Sequence, residues 1–367
     1  MSRVLDSNFL KKTLLNSLCP ELVDWNEYAE RFDLRVAIIG FGKMGLLHSG
    51  ILNLLVPRIV KAVVDKSLLL TFGASRMIKT MKFYRDIDKM LREIEPDIVY
   101  VTTPTSSHYL VVRNLLSNDV KYVFVEKPPA LNYEQVHHLV SIKKADQRII
   151  VGFQKRYALT FRHAKLLIDS GVIGEILHVN SHIRSGDILE PTNRFDTLRR
   201  GVLLDLGVHL VDLLTWFFKI KCVIKAGSKS VYTRVDDVFR SELETEGNAK
   251  ISLDASWSNP EYRIPETYIE VHGTLGTIKV TEDYLKVNTK IEHSLLDNKR
   301  EVVLYKPHYY QGIPSVNLAD PEYTIENIYF LESIHGNKQP LASIESSAET
   351  MKVIDLLYEE AWRTKDG

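Results

Sequence analysis

Residues 34–45, LRVAIIGFGKMG, decide the fold of this chain. A short apolar run, typical of a buried strand, leads directly into glycines with the spacing G-x-G-x-x-G. The first two glycines allow a tight turn and close approach to a pyrophosphate, and the third lets the following helix pack on the strand. Asp65 ends the next apolar run, 20 residues after Gly45, where a carboxylate can accept ribose hydroxyls. The stretch predicts a dinucleotide-binding domain.

The sequence around this stretch predicts two domains after a helix-prone N-terminal extension, residues 1–33, to which we assign no chemistry. Short apolar runs alternate with amphipathic stretches over 34–154, the pattern of a doubly wound parallel sheet. Residues 155–367 combine helices with long alternating segments, which indicates an α+β domain with a mostly antiparallel sheet. Six strands are expected in the first domain, at 34–40, 59–65, 82–86, 97–104, 121–128 and 148–154.

Composition excludes several classes of protein. Lys+Arg and Asp+Glu both total 47, so no net charge favours nucleic acid or an anionic membrane. Cys19 and Cys222 form no disulfide or zinc pattern, and we expect no metal site. The N-terminus has no signal-peptide core and no segment is apolar for the length of a membrane span, so we expect a cytoplasmic protein.

Two loops are expected beside the glycine turn, because ligands bind beyond the carboxyl ends of parallel strands. They are Thr102–Thr105 after the fourth strand and Glu126–Pro129 after the fifth. Lys127 in the second loop is either a solvent-exposed lysine of a turn or a residue at the edge of the sheet where the ligand binds. Asp65 favours NAD because it would repel the 2′-phosphate of NADP, although the next residues, Lys66 and Ser67, leave NADP possible.

A strongly apolar helix predicted at 203–218 carries one polar stripe of Asp205, His209 and Asp212. Burying these polar groups is costly unless they form hydrogen bonds. The stripe is therefore either an Asp-His pair hydrogen-bonded within the core or a catalytic group. Oxidation of an alcohol by hydride transfer also requires loss of the hydroxyl proton. His209 suits that base role, and Asp205 can stabilise the imidazolium. Gly207, on the opposite side, is expected to mark close helix packing.

The ordered motifs resemble the glucose-fructose oxidoreductase, inositol dehydrogenase and rhizopine-catabolism (Gfo/Idh/MocA) family. They are GFGKMG with His48, TTPTSSH, EKPPAL, VGFQKRY, GVLLDLGVHLVDLLTW and HGTLGTIKV, over residues 34 to about 280. The resemblance implies a Rossmann domain, a second domain with an open sheet often used for oligomer contacts, and NAD(P)-linked oxidation or reduction of sugars or cyclitols. A homodimer or homotetramer is expected.

The resemblance also implies roles for individual residues. Lys127 matches the lysine near nicotinamide and the reacting hydroxyl, and Asp205 and His209 match the D-x-G-x-H residues, with histidine as acid/base. The predicted cofactor contacts are Gly40, Phe41, Gly42, Lys43, Met44, Gly45, Asp65, Thr103, Pro104, His108, Glu126 and Lys127. Residues 199–202, RRGV, depart from the consecutive glycines of many relatives, so the pocket mouth is expected to differ.

The predicted substrate contacts are Lys127, Arg156, Tyr157, Asp205 and His209. Further basic side chains fall in segments that the resemblance places around the substrate, namely His182, Arg184, Arg199 and Arg200. Arginine binds carboxylate and phosphate well, so an anionic sugar derivative or nucleotide sugar is a reasonable substrate. Alternatively, these side chains face water or pair with Asp187, Glu190 and Asp196. A catalytically silent NAD(P)-binding regulator of the same fold is the alternative function.

Overall fold

A computed structural model describes residues 33–67, 78–193, 200–306, 321–334, 336 and 340–363. Arg199 lies outside these residues, and so does the predicted N-terminal extension except for Asp33. The chain forms two compact units. Of the described residues, the first unit comprises 33–67, 78–154, 321–334, 336 and 340–348, and the second comprises 155–193, 200–306 and 349–363.

The strands of the first unit are β1 Val36–Ile39, β2 Val60–Val64, β3 Lys82–Tyr84, β4 Ile98–Val101, β5 Tyr122–Glu126 and β6 Arg148–Gly152. Those of the second are β7 Ile176–Arg184, β8 Ile220–Lys229, β9 Val238–Thr245, β10 Lys250–Ser256, β11 Glu266–Gly273, β12 Gly276–Val280, β13 Tyr284–His293 and β14 Lys299–Tyr305. The helices are α1 Lys43–Leu55, α2 Ile87–Ile94, α3 Thr105–Ser117, α4 Tyr133–Ile142, α5 Leu159–Asp169, α6 Val202–Asp205, α7 Gly207–Phe217, α8 Pro321–Ile334 and α9 Ile344–Arg363.

The sheet of the first unit is parallel and has the order β3-β2-β1-β4-β5-β6. All six strands predicted from the apolar runs are confirmed. The central strands β1 and β4 are buried along their whole length, as expected where helices cover both faces of a sheet. The chain order reverses between β1 and β4, so the loops after these strands flank the switch point where nucleotides bind in such sheets.

Helix α8 belongs to the first unit, which corrects the prediction that all residues from 155 onward form the second domain. Phe330 and Leu331 of α8 are fully buried in the same apolar cluster as Ile38, Leu52 and Tyr100. The sequence periodicity of α8 shows only that one helix face is apolar, and not which sheet covers it.

The second unit contains a mixed sheet of order β14-β13-β12-β11-β7-β10-β9-β8. All its neighbouring strands pair antiparallel except β7 and β10, so the mostly antiparallel prediction is confirmed. The alternating segments noted in the sequence of this domain do not include those that form β8 and β13. In β8 the register shifts twice against β9, which removes the alternation that identifies a strand. None of the helices in the described part of the chain is long and apolar enough to cross a membrane.

Candidate functional site

The glycine turn after β1 has the geometry that its spacing predicted. Gly40 has a φ of +93°, a value that L side chains rarely adopt. A Cβ on Gly45 would lie 2.1 Å from the main-chain oxygen of Gly40, so only glycine lets α1 pack this closely on the turn. A Cβ on exposed Gly42 would meet nothing within 4 Å, which leaves that part of the turn open to a ligand.

The N-terminus of α1 suits a pyrophosphate. Gly42 is the N-cap residue and supplies no side-chain cap, and the first turn contains no acidic residue. The first N–H groups of a helix have no acceptor within the helix and carry a partial positive charge, so they attract an anion. Lys43, the exposed first residue of the helix, adds a full positive charge. These residues therefore fit the phosphates of a dinucleotide.

The carboxylate of Asp65 is held at the end of β2. Its Oδ2 accepts the main-chain N–H of Phe41 at 2.7 Å, and its Oδ1 accepts that of Ser67 at 2.7 Å. A carboxylate has about four acceptor positions, so both oxygens can still accept ribose hydroxyls. Asp65 is thus fixed against the glycine turn, and its contact with the ribose stays a prediction.

The loops after β4 and β5 are joined through His108. This imidazole is buried, with Nδ1 2.8 Å from the main-chain oxygen of Pro128 and Nε2 2.7 Å from that of Thr103. Burial lowers the pKa of His108. With both ring nitrogens facing main-chain oxygens, His108 can support the loop carrying Thr103 and Pro104, whereas direct cofactor contact by His108 stays a prediction.

Glu126, another predicted cofactor contact, is a buried carboxylate at the end of β5. His48 lies with Nε2 2.9 Å from Glu126 Oε1 and with Nδ1 beside the side-chain amide of Asn327. The hydroxyl of Tyr100 donates to Asn327 Oδ1 at 2.8 Å. This network lies within the first unit. The sequence analysis missed Asn327, which carries no motif signal and comes from the distant helix α8.

Lys127 is half-buried and follows Glu126, whose Oε2 accepts the Lys127 main-chain N–H at 3.2 Å. The peptide bond between Lys127 and Pro128 is cis. Lys127 belongs to the first unit and Asp205 and His209 belong to the second. The predicted catalytic residues are therefore divided between the two units.

The predicted helix at 203–218 is interrupted at Leu206, where α6 ends and α7 begins. The N–H of His209 bonds to the oxygen of Leu206 at 3.2 Å, a tight turn that the apolar periodicity does not reveal. Asp205 is half-buried and His209 is buried. A Cβ on Gly207 would lie 3.2 Å from Cβ of Ala255, which confirms the predicted close packing.

Asp212, the third member of the polar stripe, pairs with Arg156. The guanidinium donates to both carboxylate oxygens at 2.7 Å, and Thr350 donates to Oδ1 at 3.1 Å. Arg156 is only 2% exposed and Asp212 1%. Burial raises the pKa of the Asp212 carboxyl, against the opposing effect of Arg156. The charge of Arg156 is already neutralised, so its predicted substrate contact gains no support from this geometry. Tyr157 beside it is fully buried.

Other basic side chains of the second unit also have carboxylate partners. Arg184 donates to Asp254 at 2.6 Å, and Arg200 pairs with Asp355. His182 stacks on Tyr268 with ring centroids 5.1 Å apart, and burial lowers the pKa of its imidazole. These partners differ from the suggested Asp187 and Glu190, and Asp196 lies outside the described residues. Among the described residues, no group of three or more His, Cys, Asp and Glu side chains could hold a metal ion.

Comparison with known protein families defines the class of this protein. Residues 34–153 match the model described as an oxidoreductase family with an NAD-binding Rossmann fold. Residues 161–279 match the GFO/IDH/MocA C-terminal domain. The first unit thus contains an NAD-binding Rossmann fold. The chain belongs to the GFO/IDH/MocA family of oxidoreductases, as its motifs predicted.

Individual relatives are similar but distant. Myo-inositol 2-dehydrogenase of Thermotoga maritima is 28% identical over 181 residues, which cover 49% of this chain and 53% of that protein. The chain therefore spans about half the length of this relative. scyllo-Inositol 2-dehydrogenase (NAD(+)) of Bacillus subtilis is 24% identical over 84% of this chain and 89% of that protein.

The fold also matches solved structures. An oxidoreductase from Agrobacterium radiobacter, solved with NAD+, L-tartaric acid and magnesium, has a TM-score of 0.76 at 19% identity. The match covers 90% of this chain and 96% of that one. At this identity the likeness establishes the fold alone.

Proposed function

We propose that this protein transfers a hydride between a nicotinamide cofactor, preferably NAD, and a hydroxyl-bearing carbon of a sugar, a cyclitol or one of their derivatives, including nucleotide sugars. The observation that carries the proposal is the combination, in one chain, of a glycine turn fitted to a dinucleotide with a buried histidine, His209, that follows a half-buried aspartate. Membership of a family that contains inositol dehydrogenases supports the substrate class.

The nicotinamide supplies the hydride acceptor or donor when bound. His209 takes the hydroxyl proton as the alcohol is oxidised and returns it in the reverse direction. Asp205 stabilises the imidazolium that forms, and the ammonium group of Lys127 orients the reacting oxygen by donating a hydrogen bond to it. No step requires a metal.

The preference for NAD rests on Asp65. Both of its oxygens accept main-chain N–H groups, so the carboxylate is restrained from turning away to admit a 2′-phosphate beside Lys66 and Ser67. NADP is the alternative cofactor in this proposal. We also propose that the protein acts in the cytoplasm as a homodimer or homotetramer, on the sequence grounds given above.

The test is an absorbance assay at the reduced-nicotinamide band. The full-length protein is supplied with NAD or NADP and a panel of myo-inositol, scyllo-inositol, aldoses and nucleotide sugars, and cofactor binding is measured separately by calorimetry. We expect NAD to bind and at least one panel member to be oxidised. Cofactor binding without turnover of any panel member, or of the corresponding ketones with reduced cofactor, would favour a regulator over an enzyme.

A further inference from the structure

The short helix α6, which ends at Asp205, begins without a cap of its own. Its N-cap residue is Gly201, which has no side chain to accept the first N–H groups. A Cβ at this position would lie 2.2 Å from the main-chain oxygen of Asp236. Serine, threonine, asparagine and aspartate, the usual capping residues, are therefore excluded from this position by the approach of another segment.

Asp236, in the turn before β9, supplies the cap instead. Its Oδ1 accepts the N–H of Gly201 at 2.7 Å, and its Oδ2 accepts that of Leu203 at 3.0 Å. Its main-chain oxygen accepts the N–H of Val202 at 2.7 Å. Asp236 is buried, so these bonds form where water does not compete. Consecutive N–H groups at the start of α6 thus bond to one residue.

The C-terminal helix α9 holds this carboxylate in place. The hydroxyl of Tyr358 lies 3.2 Å from both oxygens of Asp236. Burial raises the pKa of Tyr358 well above its usual value, so its hydroxyl stays protonated and able to donate. Arg200 lies with its guanidinium 4.8 Å from the centre of the Tyr358 ring and pairs with Asp355. Arg200, directly before Gly201, thus also contacts α9.

Only a few bonds of its own stabilise α6. The N–H of Asp205 bonds to the oxygen of Gly201 at 3.1 Å, and that of Leu206 to the oxygen of Val202 at 2.9 Å. A helix of four residues is too short to be stable alone, so its orientation depends on the groups that anchor its start. That orientation sets the position of Asp205 and the entry into α7, which carries His209 in its first turn.

We propose that Asp236, held by Tyr358, is a positioning residue that places Asp205 and His209 for proton transfer. This inference rests on the proposed function. Asp236 acts through main-chain N–H groups and takes no part in the chemistry itself. A misplacement of about 1 Å at a reacting group can lower a rate by ~100-fold, so a weakened cap is expected to reduce turnover more than binding.

The adjacent residue, Asp237, provides a matched control. It is also buried and accepts from Trp257 Nε1 at 2.6 Å, Tyr232 N at 2.6 Å and Thr233 Oγ1 at 2.7 Å. Its described hydrogen bonds include none to α6. Asp237→Asn therefore disturbs a buried carboxylate of the same sheet without uncapping the helix.

The experiment compares Asp236→Asn, Tyr358→Phe and Asp237→Asn with the unmodified protein. It measures kcat and its pH profile with a panel member that the unmodified protein oxidises, and the KM for NAD. It also measures thermal stability and amide hydrogen exchange at residues 202–206. We expect Asp236→Asn to lower kcat about tenfold or more, shift its pH profile, accelerate exchange and leave the KM for NAD unchanged. Tyr358→Phe should do the same more weakly. Asp237→Asn should lower stability while kcat and exchange in α6 stay as they are.

Two results would overturn the inference while leaving the proposed function intact. One is unchanged kcat in Asp236→Asn. The other is an equal loss of kcat in Asp236→Asn and Asp237→Asn that follows their loss of stability, since the role would then be structural only. Absence of turnover in the unmodified protein would instead refute the proposed function, and with it any positioning role.

Discussion

The glycine turn of the first unit and the Asp205–His209 segment of the second are specified in different ways. The turn is built from residues 40–45, where Gly40 has a positive φ and Gly45 packs against the main-chain oxygen of Gly40. The second segment depends on residues distant in sequence, since Asp236 caps the helix that ends at Asp205 and Arg156 binds Asp212 on the helix that carries His209. Local spacing therefore predicts the glycine turn, whereas tertiary contacts shape the segment that we propose to be catalytic.

The largest expected effect comes from removing the proposed catalytic groups. Lys127→Ala and His209→Ala should each lower kcat by about 10²- to 10⁴-fold, because proton transfer and orientation of the reacting oxygen are lost. NAD binding, measured by calorimetry, should stay largely unchanged, since the glycine turn is intact. His178→Ala is a control, because His178 stacks on His272 in the sheet and has no proposed role in catalysis. Normal turnover of His209→Ala at neutral pH would refute the acid/base assignment.

The next effect concerns the stability of the second unit. Arg156→Leu leaves Asp212 buried without its cation and should lower the free energy of unfolding by about 3 to 5 kcal/mol. The double variant Arg156→Leu/Asp212→Leu should recover most of that loss because no buried charge remains. Urea unfolding followed by tryptophan fluorescence measures this, since Trp216, Trp257 and Trp362 all lie in the second unit. A single variant as stable as the parent would show that the ion pair contributes little.

A smaller effect is an acid sensitivity due to His163 on α5. Burial and, next, the charge of Arg162 lower the pKa of His163 to about 4, from 6.5 in an unfolded chain. Between these values the unfolded chain binds a proton that the folded chain does not, so stability decreases as pH falls from about 6.5 to 4. The expected loss is about 3 kcal/mol.

The matched variant His163→Gln should flatten this part of the pH dependence, because glutamine does not titrate. The same urea unfolding, repeated across this pH range, measures the difference. If both proteins lose stability in parallel, other groups cause the acid sensitivity.

The smallest effect concerns cofactor preference. Asp65→Ala removes the carboxylate that accepts ribose hydroxyls and repels a 2′-phosphate, so NAD should bind about tenfold more weakly relative to NADP. Calorimetry with both cofactors measures the ratio. An unchanged preference would exclude Asp65 as the group that discriminates between them.

The sequence predicted the features that local chemistry determines. They include the six parallel strands, the open Gly42 and the tight contact at Gly45. It could not predict the break at Leu206, because apolar periodicity continues through it. Nor could it assign α8 to the first unit or pair Arg156 with Asp212, since both depend on which surfaces meet after folding.

The most direct test of the central claim is net transfer of an isotope. Reduced nicotinamide cofactor deuterated at the transferable position is incubated with the full-length protein and the ketones corresponding to the panel of sugars and cyclitols. We predict that the alcohol product contains one deuterium on the carbinol carbon and that the nicotinamide is oxidised in equal amount. If the protein binds the cofactor but deuterium stays on the nicotinamide with every ketone, the proposed hydride transfer is contradicted.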